Sequence, residues 1–234
     1  MENPSESLLS FDLEKTSAVE VLRAVQSRVC SELNSNSDSP FSLALTIQLV
    51  GARGQDFIGA GLRGSMDVTV NGAIGDFGFC SFADGECHVV GDVGSFFGHS
   101  ISSGVLVASG NAKNAVGALG SSGLIAIYGN AGHRIGIGMQ GSDVVIRGSV
   151  ADYAGLGMQN GTLIIGGSAG KCLGHGMRGG TIYIRGDAES ISSDIEQQRL
   201  REPDRLKIGM LLLKSNIKSG GKEFRVFRPC IRDE

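Results

Sequence analysis

Apolar and polar residues alternate in short segments along the middle of the chain, and these segments recur at a fixed interval. In each segment two alternate positions are apolar, which is the pattern of a β-strand that turns one face toward a core. The paired positions are Val68/Val70, Cys87/Val89, Leu106/Ala108, Ile125/Ile127, Val144/Ile146, Leu163/Ile165 and Ile182/Ile184. The pattern therefore predicts seven short strands that share one core.

Glycine marks the same interval. The repeat glycines are Gly72, Gly91, Gly110, Gly129, Gly148, Gly167 and Gly186, each nineteen residues after the last. Two residues after each comes a small or branched apolar residue, from Ile74 to Ala188. Seven residues after the repeat glycines from Gly91 to Gly167 comes a further glycine, from Gly98 to Gly174, whereas Phe79 takes this place after Gly72. An interval near twenty residues over more than a hundred positions indicates one stacked supersecondary unit. We therefore predict an all-β parallel β-helix with 19-residue coils.

The flanks change character, as the two ends of a stacked solenoid require. Residues 17–30 have helical spacing behind a Ser17-x-x-Glu20 capping box, and a polar linker follows up to residue 40, with strands from Phe41. Residues 193–214 are predicted helical with a break near Pro203, and the tail is predicted to be extended. The predicted division is an N-terminal helix and linker (1–40), the β-helix (41–190) and a C-terminal helix and tail (191–234).

One outward-facing row of strand positions is more apolar than a water-exposed surface should be. This outer stripe consists of His88, Val107, Ala126, Val145, Ile164 and Tyr183. We expect it to be covered. The chain's own C-terminal helix is the favoured cover, and a partner subunit remains the alternative.

Composition narrows the possible functions. The 37 glycines in 234 residues occur without a Gly-X-Y triplet, which excludes collagen. A net charge of −3 and scattered basic residues give no electrostatic footprint for nucleic acid or an anionic membrane. With no apolar leader at the start and no apolar stretch of membrane-spanning length, a cytoplasmic location is expected.

Candidate chemistry is sparse. We call equivalent positions in successive coils a column. His99 and His175 occupy the same column four coils apart, a distance of roughly 19 Å, so they cannot share a metal ion. The five cysteines include no C-x-x-C pair, and we expect free, buried thiols rather than disulfides or a metal site. The acidic residues Asp76, Asp92, Asp152 and Asp187 are predicted to satisfy local amides in turns. No residue is predicted to be catalytic or to bind a cofactor or metal.

The outward positions of successive coils predict one site, a surface that contacts a partner protein. Arg147 and Arg185 project outward two coils apart, roughly 10 Å, where they could clamp an acidic surface. The predicted partner-contact residues are Tyr128, Arg147, Tyr183 and Arg185.

The rows GNAGHRIGIGMQGSDVVIRGSV and GSAGKCLGHGMRGGTIYIRGDA resemble the GXGXG family. That family includes the C-terminal domain of the glutamate synthase large subunit and a subunit of formylmethanofuran dehydrogenase. The resemblance covers about residues 51–190 and implies a single-stranded right-handed parallel β-helix. The segments FDLEKTSAVEVL, RGQ (53–55) and EFRVFRP further resemble the stand-alone β-helix subunit of N-methylglutamate synthase and related three-part glutamate synthases.

This resemblance implies a non-catalytic scaffold that docks a glutaminase subunit and an FMN-bearing synthase subunit. FMN, and any iron–sulfur cluster, would then lie on a partner subunit. Met1-Glu2 begins the chain and its first cysteine is Cys30, so the N-terminal cysteine nucleophile of a glutaminase is missing. Two alternatives stay open: a subunit of a formylmethanofuran dehydrogenase-type complex, and a carbohydrate-active β-helix enzyme. Low aromatic content, with no tryptophan, argues against the second.

Overall fold

Strands one coil apart pair in parallel through most of the chain and form a β-helix. The computed structural model describes residues 7–35, 45–218 and 224–230. Its strands are β1 (Ser7–Asp12), β2 (Leu45–Arg53), β3 (Met66–Ala73), β4 (Glu86–Val90), β5 (Val105–Ala108), β6 (Leu124–Ile127), β7 (Gln140–Ile146), β8 (Asn160–Ile165), β9 (Thr181–Ile184), β10 (Ile195–Gln198) and β11 (Arg225–Pro229). Its helices are α1 (Ala18–Ser35) and α2 (Glu202–Lys214).

The strands lie in one sheet in the order β1 to β9, then β11 and β10. Strands β1 to β9 pair in parallel, and from β3 to β9 each aligned residue pair is nineteen or twenty residues apart. A second ladder of single parallel bridges runs through the small apolar residues from Ile74 to Ala188. The predicted parallel β-helix of 19-residue coils is therefore confirmed.

The core lies inside the coils. All fourteen alternate strand positions predicted to point inward are at most 1% exposed. Three stacked methionines fill the interior of the later coils, and Phe79, Phe82 and Phe97 fill that of the earlier ones. Methionine suits this place because its unbranched thioether adapts to irregular gaps.

The repeat glycines bring the backbones of successive coils together. From Gly110 to Gly186, each donates its amide to the carbonyl of the repeat glycine one coil earlier, at 2.8–3.0 Å. A Cβ on Gly148 would lie 2.6 Å from the carbonyl oxygen of Gly129, which no side chain tolerates. The glycines seven positions later instead have positive φ, and Phe79 adopts φ 50° in that same column.

Polar side chains link the coils at the corners. Asp76, Asp92 and Asp152 each accept a hydrogen bond, at 2.7, 2.6 and 2.8 Å, from the backbone amide of the residue nineteen positions on. The amides they satisfy therefore belong to the next coil, not to their own turn as predicted. Asp187 instead forms a 2.8 Å ion pair with Arg225.

The N-terminal end is closed by β1 and α1. Helix α1 begins with the predicted capping box, in which the Ser17 amide donates to Glu20 Oε2 at 2.7 Å and the Glu20 amide donates to Ser17 Oγ at 3.3 Å. Val21 and Val25 of this helix are buried in the main core. The sequence did not predict β1, and part of the predicted linker belongs to α1; residues 36–44 lie outside the described residues.

At the C-terminal end the prediction of one broken helix over 193–214 is wrong in its first part. Residues 195–198 form strand β10, and Pro203 lies in the first turn of α2 rather than breaking a longer helix. Proline fits there because the first helical amides have no partner within the helix. The tail is extended, as predicted: β11 inserts antiparallel between β9 and β10.

Candidate functional site

Helix α2 lies on the outer face of β6 to β9 and covers the outer stripe there. Ile208, Leu211 and Leu212 of α2 pack with the outward residues of these strands into a second buried cluster. Leu124, Val145, Ile164, Tyr183, Phe224 and Val226 complete it. His88, at the other end of the stripe, is exposed. The expectation that the chain's own C-terminal helix covers the stripe is confirmed for this half.

A buried polar cluster fixes the beginning of α2. The Tyr183 hydroxyl donates to Asp204 Oδ1 at 2.8 Å, the Arg201 amide donates to Asp204 Oδ2 at 2.8 Å, and the Arg228 guanidinium pairs with the same carboxylate. Burial raises the pKa of Tyr183 far above its ordinary range, and the hydrogen bond to Asp204 adds to this. Burial also raises the pKa of Asp204, but these hydrogen bonds and the charge of Arg228 outweigh it and lower the pKa.

Two further polar contacts hold the rest of the helix. Lys207 Nζ lies 2.9 Å from Asp143 Oδ2, and the Tyr128 hydroxyl donates to the carbonyl of Ser215 at 2.8 Å. The second contact satisfies one of the carbonyls that a helix leaves without a partner at its C-terminus. Both contacts join α2 to the outer face of the coils, so the helix has a defined position on the sheet.

A groove of about 610 Å³ opens between the C-terminal end of α2 and the outer face of the coils. Arg147, Arg185 and Lys218 contribute its cations, and Tyr128 its aromatic ring. The other lining residues are Ile146, Ile164, Gly166, Leu212, Asn216, Ile217 and Phe224. Because no aspartate or glutamate is among these lining residues, we call the feature the basic groove. Its chemistry suits carboxylates or other anions with an apolar part.

The groove cations are available to a ligand. Arg147 and Lys218 form no ion pair with any described residue, and the Arg147 guanidinium lies 5.8 Å from the centroid of the Tyr128 ring. Arg185 donates through Nε to the carbonyl of Gly166 at 2.8 Å, which orients its terminal nitrogens. Guanidinium groups held in this way match the two oxygens of a carboxylate.

The structure brings together three of the four predicted partner-contact residues. Tyr128, Arg147 and Arg185 line the basic groove. Tyr183 does not, because it is 3% exposed beneath α2 and bonded to Asp204. The sequence did not predict Lys218 as part of this surface, because the position of Lys218 depends on how α2 folds back over the coils. That a partner binds these residues stays a prediction.

A second exposed surface lies on the earlier coils. The rings of Phe57, Phe77 and Phe96 stack along the corner, with centroids 5.3 and 4.8 Å apart and nearly parallel planes. All three residues have positive φ, which bulky side chains rarely adopt. Phe57 ends the stack with its ring exposed. We call this feature the phenylalanine stack.

Groups that bind metals are dispersed in the described part of the chain. No cluster of three or more His, Cys, Asp or Glu side chains converges there. His175 lies 3.4 Å from Asp194, and His133 lies 3.7 Å from Asp152, as separate pairs. Cys80, Cys87, Cys172 and Cys230 are free, as predicted, but the predicted burial holds only for Cys87 among these four. Burial raises the pKa of the Cys87 thiol well above its ordinary value.

Comparison with known protein families gives a match over most of the chain. The model of the family described as the GXGXG motif matches residues 12–208, which includes every coil and the first half of α2. No curated protein matches the chain. In the described residues neither helix combines the length and apolar character needed to cross a membrane.

Proposed function

Because the chain belongs to the GXGXG motif family, we propose that it is a structural subunit of a glutamine-amidotransferase complex of the glutamate synthase type. In this role it holds a glutaminase subunit and an FMN-bearing synthase subunit, so that ammonia released by the first is used by the second. The family match is consistent with a domain related to glutamate synthase. The chain contributes surfaces and spacing, and the partner subunits contribute the chemistry.

The basic groove is the observation that carries this proposal. Arg147, Arg185 and Lys218 line an open groove whose lining residues include no carboxylate. Exposed cations gathered over an apolar floor favour a binding surface, because a folded chain gains nothing from placing like charges together. Docking of a partner would supply the missing negative charge.

The backbone behind the groove suits a scaffold. The bridges between small apolar residues run from Ile74 to Ala188, and the hydrogen bonds between repeat glycines run from Gly91 to Gly186, so each of these coils is fixed by its neighbours. Surfaces on such a support keep a constant separation, which a complex that transfers ammonia between two active sites requires.

The test is purification of the untagged chain from its native host. We expect it to be isolated with a yellow, flavin-bearing protein and with a glutaminase that begins with cysteine. Isolation as an active monomer, or together with formyl-transfer enzymes, would overturn the proposal.

A charge-reversal pair then tests the groove. The double variant Arg147→Glu/Arg185→Glu should lose at least one partner. The matched control Lys113→Glu/Arg178→Glu has the same change of charge at exposed positions that do not line the groove, and should retain both.

A further inference from the structure

Helix α2 has two apolar faces, and only one of them packs against the described part of the chain. Ile208, Leu211 and Leu212 pack on the coils. Leu206, Met210 and Leu213, spaced four and three residues apart, share the opposite face and are 60%, 57% and 81% exposed. We call these three residues the exposed helix stripe.

Nothing in the described chain covers this stripe. A Cβ built on Gly209, beside it, would meet no atom within 4 Å, so the surface around it is open. Single exposed apolar residues are common on protein surfaces, but an ordered row on one helix face marks an interaction site. The stripe is therefore a candidate second interface of α2.

Charges next to the stripe indicate which partner it fits. Arg205 and Lys207 are neutralised within the chain by Glu202 and Asp143, at 3.2 and 2.9 Å. Lys214 is exposed and forms no ion pair with the described residues.

The stripe and the basic groove both reach the C-terminal end of α2. Leu213 is the last residue of the stripe, and Asn216, three residues later, lines the groove. Leu212 also lines the groove, from the opposite, coil-facing side of the helix. Arg147, Arg185 and Lys218 form no ion pair with the described residues, so the free charge at this end of the helix is positive.

We propose that the exposed helix stripe and the basic groove form one docking site for an acidic amphipathic helix of a partner protein. Its apolar face would cover Leu206, Met210 and Leu213, and its carboxylates would reach Arg147, Arg185 and Lys218. This inference rests on the docking role proposed above. Self-association through the same site is disfavoured, because a two-fold interface would bring two basic surfaces together.

Site-specific cross-linking in the native host tests the position of the site. The photo-reactive residue p-benzoylphenylalanine replaces Met210 in the full chain, and the cross-linked peptide is sequenced by mass spectrometry. The matched control carries it at Val19, which is 56% exposed on α1. The expected result is a link from position 210, and not from position 19, to a partner segment with helical apolar spacing and an excess of Asp and Glu.

Two substitutions of Leu213 test whether the partner segment is acidic. Leu213→Asp and Leu213→Lys both remove apolar area at a position whose exposure leaves folding intact. The affinity of each variant for the partner identified by cross-linking is measured against that of the wild-type chain. We expect Leu213→Asp to weaken binding about 10-fold or more, and Leu213→Lys only about 3-fold. Equal losses, or a larger loss for lysine, would overturn the acidic partner.

Other outcomes of these experiments also overturn the inference. A cross-link from position 210 to a second copy of this chain would make the stripe a homo-oligomer interface. Binding to phosphatidylserine vesicles that is lost in Leu213→Asp would make it a membrane surface. Native co-purification of both partners without any cross-link from position 210 would remove this docking site while leaving the proposed function intact.

Discussion

The earlier and later coils of the β-helix follow the same repeat but end with different outer surfaces. Strand β4 alternates between exposed and buried residues, whereas every residue of β6 is buried. The inward strand residues are equally buried in both regions, so the difference in burial between the strands lies on their outer face. Helix α2 covers the later coils, while the earlier ones keep His88 exposed and carry the phenylalanine stack. One repeat thus supports two surfaces, one that carries the phenylalanine stack and one that holds a helix and the basic groove.

The largest expected effect concerns the feature that both regions share. Gly91→Ala and Gly148→Ala place a Cβ 2.7 and 2.6 Å from the carbonyl oxygen of the previous repeat glycine. Each should lower the free energy of unfolding by at least about 3 kcal/mol, because the backbones of two coils must separate. Urea denaturation followed by circular dichroism measures this.

The control for these glycines is Gly157→Ala. A Cβ there meets nothing within 4 Å but sits at φ +62°, so the substitution should cost only about 1 kcal/mol. If Gly91→Ala lowered the free energy of unfolding much less than Gly148→Ala, the repeat glycines would not hold the coils together equally in the two regions.

The next largest effect is a difference in stability when outer-face valines of the two regions are truncated to alanine. Val145 is fully buried under α2, whereas Val90 on β4 is 55% exposed. Val145→Ala should therefore lower the free energy of unfolding by about 2 kcal/mol, and Val90→Ala should change it by less than about 0.5 kcal/mol. Equal effects on the denaturation midpoint would mean that a cover also lies over the earlier coils.

The smallest expected effect is a pH dependence specific to the later region. Folding lowers the pKa of Asp204, so its contribution is complete above the unfolded-state pKa near 4 and is lost as pH falls. Folding raises the pKa of Tyr183, so its contribution is complete below about pH 10 and is lost as pH rises. Relative to Asp204→Asn/Tyr183→Phe, the wild type should be more stable by about 1.5 kcal/mol between these limits.

The readout is the free energy of unfolding of both proteins from pH 3 to pH 11. The pKa of Asp12 is lowered mainly by the Glu14 amide, and that of Glu20 mainly by the Ser17 amide, but both residues are present in either protein. Their contributions therefore cancel. A difference in stability that stays constant with pH would contradict the proposed role of the Tyr183–Asp204 hydrogen bond.

Several elements could be predicted because their causes are local in sequence. The capping box at Ser17 and Glu20 identified the start of α1, and the nineteen-residue spacing identified each strand from β3 to β9. Pro203 was misinterpreted, because the same residue favours a helix start or a helix break and only the neighbouring elements distinguish them. Strand β1 was missed because its pairing with β2, from Ser7 opposite Leu45, reaches across helix α1 rather than over the nineteen residues of one coil.

The site was predicted only in part for the same reason. Column geometry placed Arg147 and Arg185 on one face, and both line the basic groove. It also placed Tyr183 there, although the Tyr183 side chain is buried under α2. The repeat of the coils carries no information about where this helix packs. Lys218 and the exposed helix stripe have no counterpart in the repeat, so no column could reveal them.

The sequence by itself determined the coil, its period, its inward residues and its glycine ladder, because each coil contacts its neighbours at a fixed sequence separation and the requirement repeats. Only the tertiary structure decided where α2 lies, which outer residues it buries, and which cations remain open to a partner. Those outcomes depend on contacts between the α2 region and coils far away in sequence, 87 residues in the case of Tyr128 and Ser215. Such packing occurs once among the described residues and therefore leaves no periodic signal.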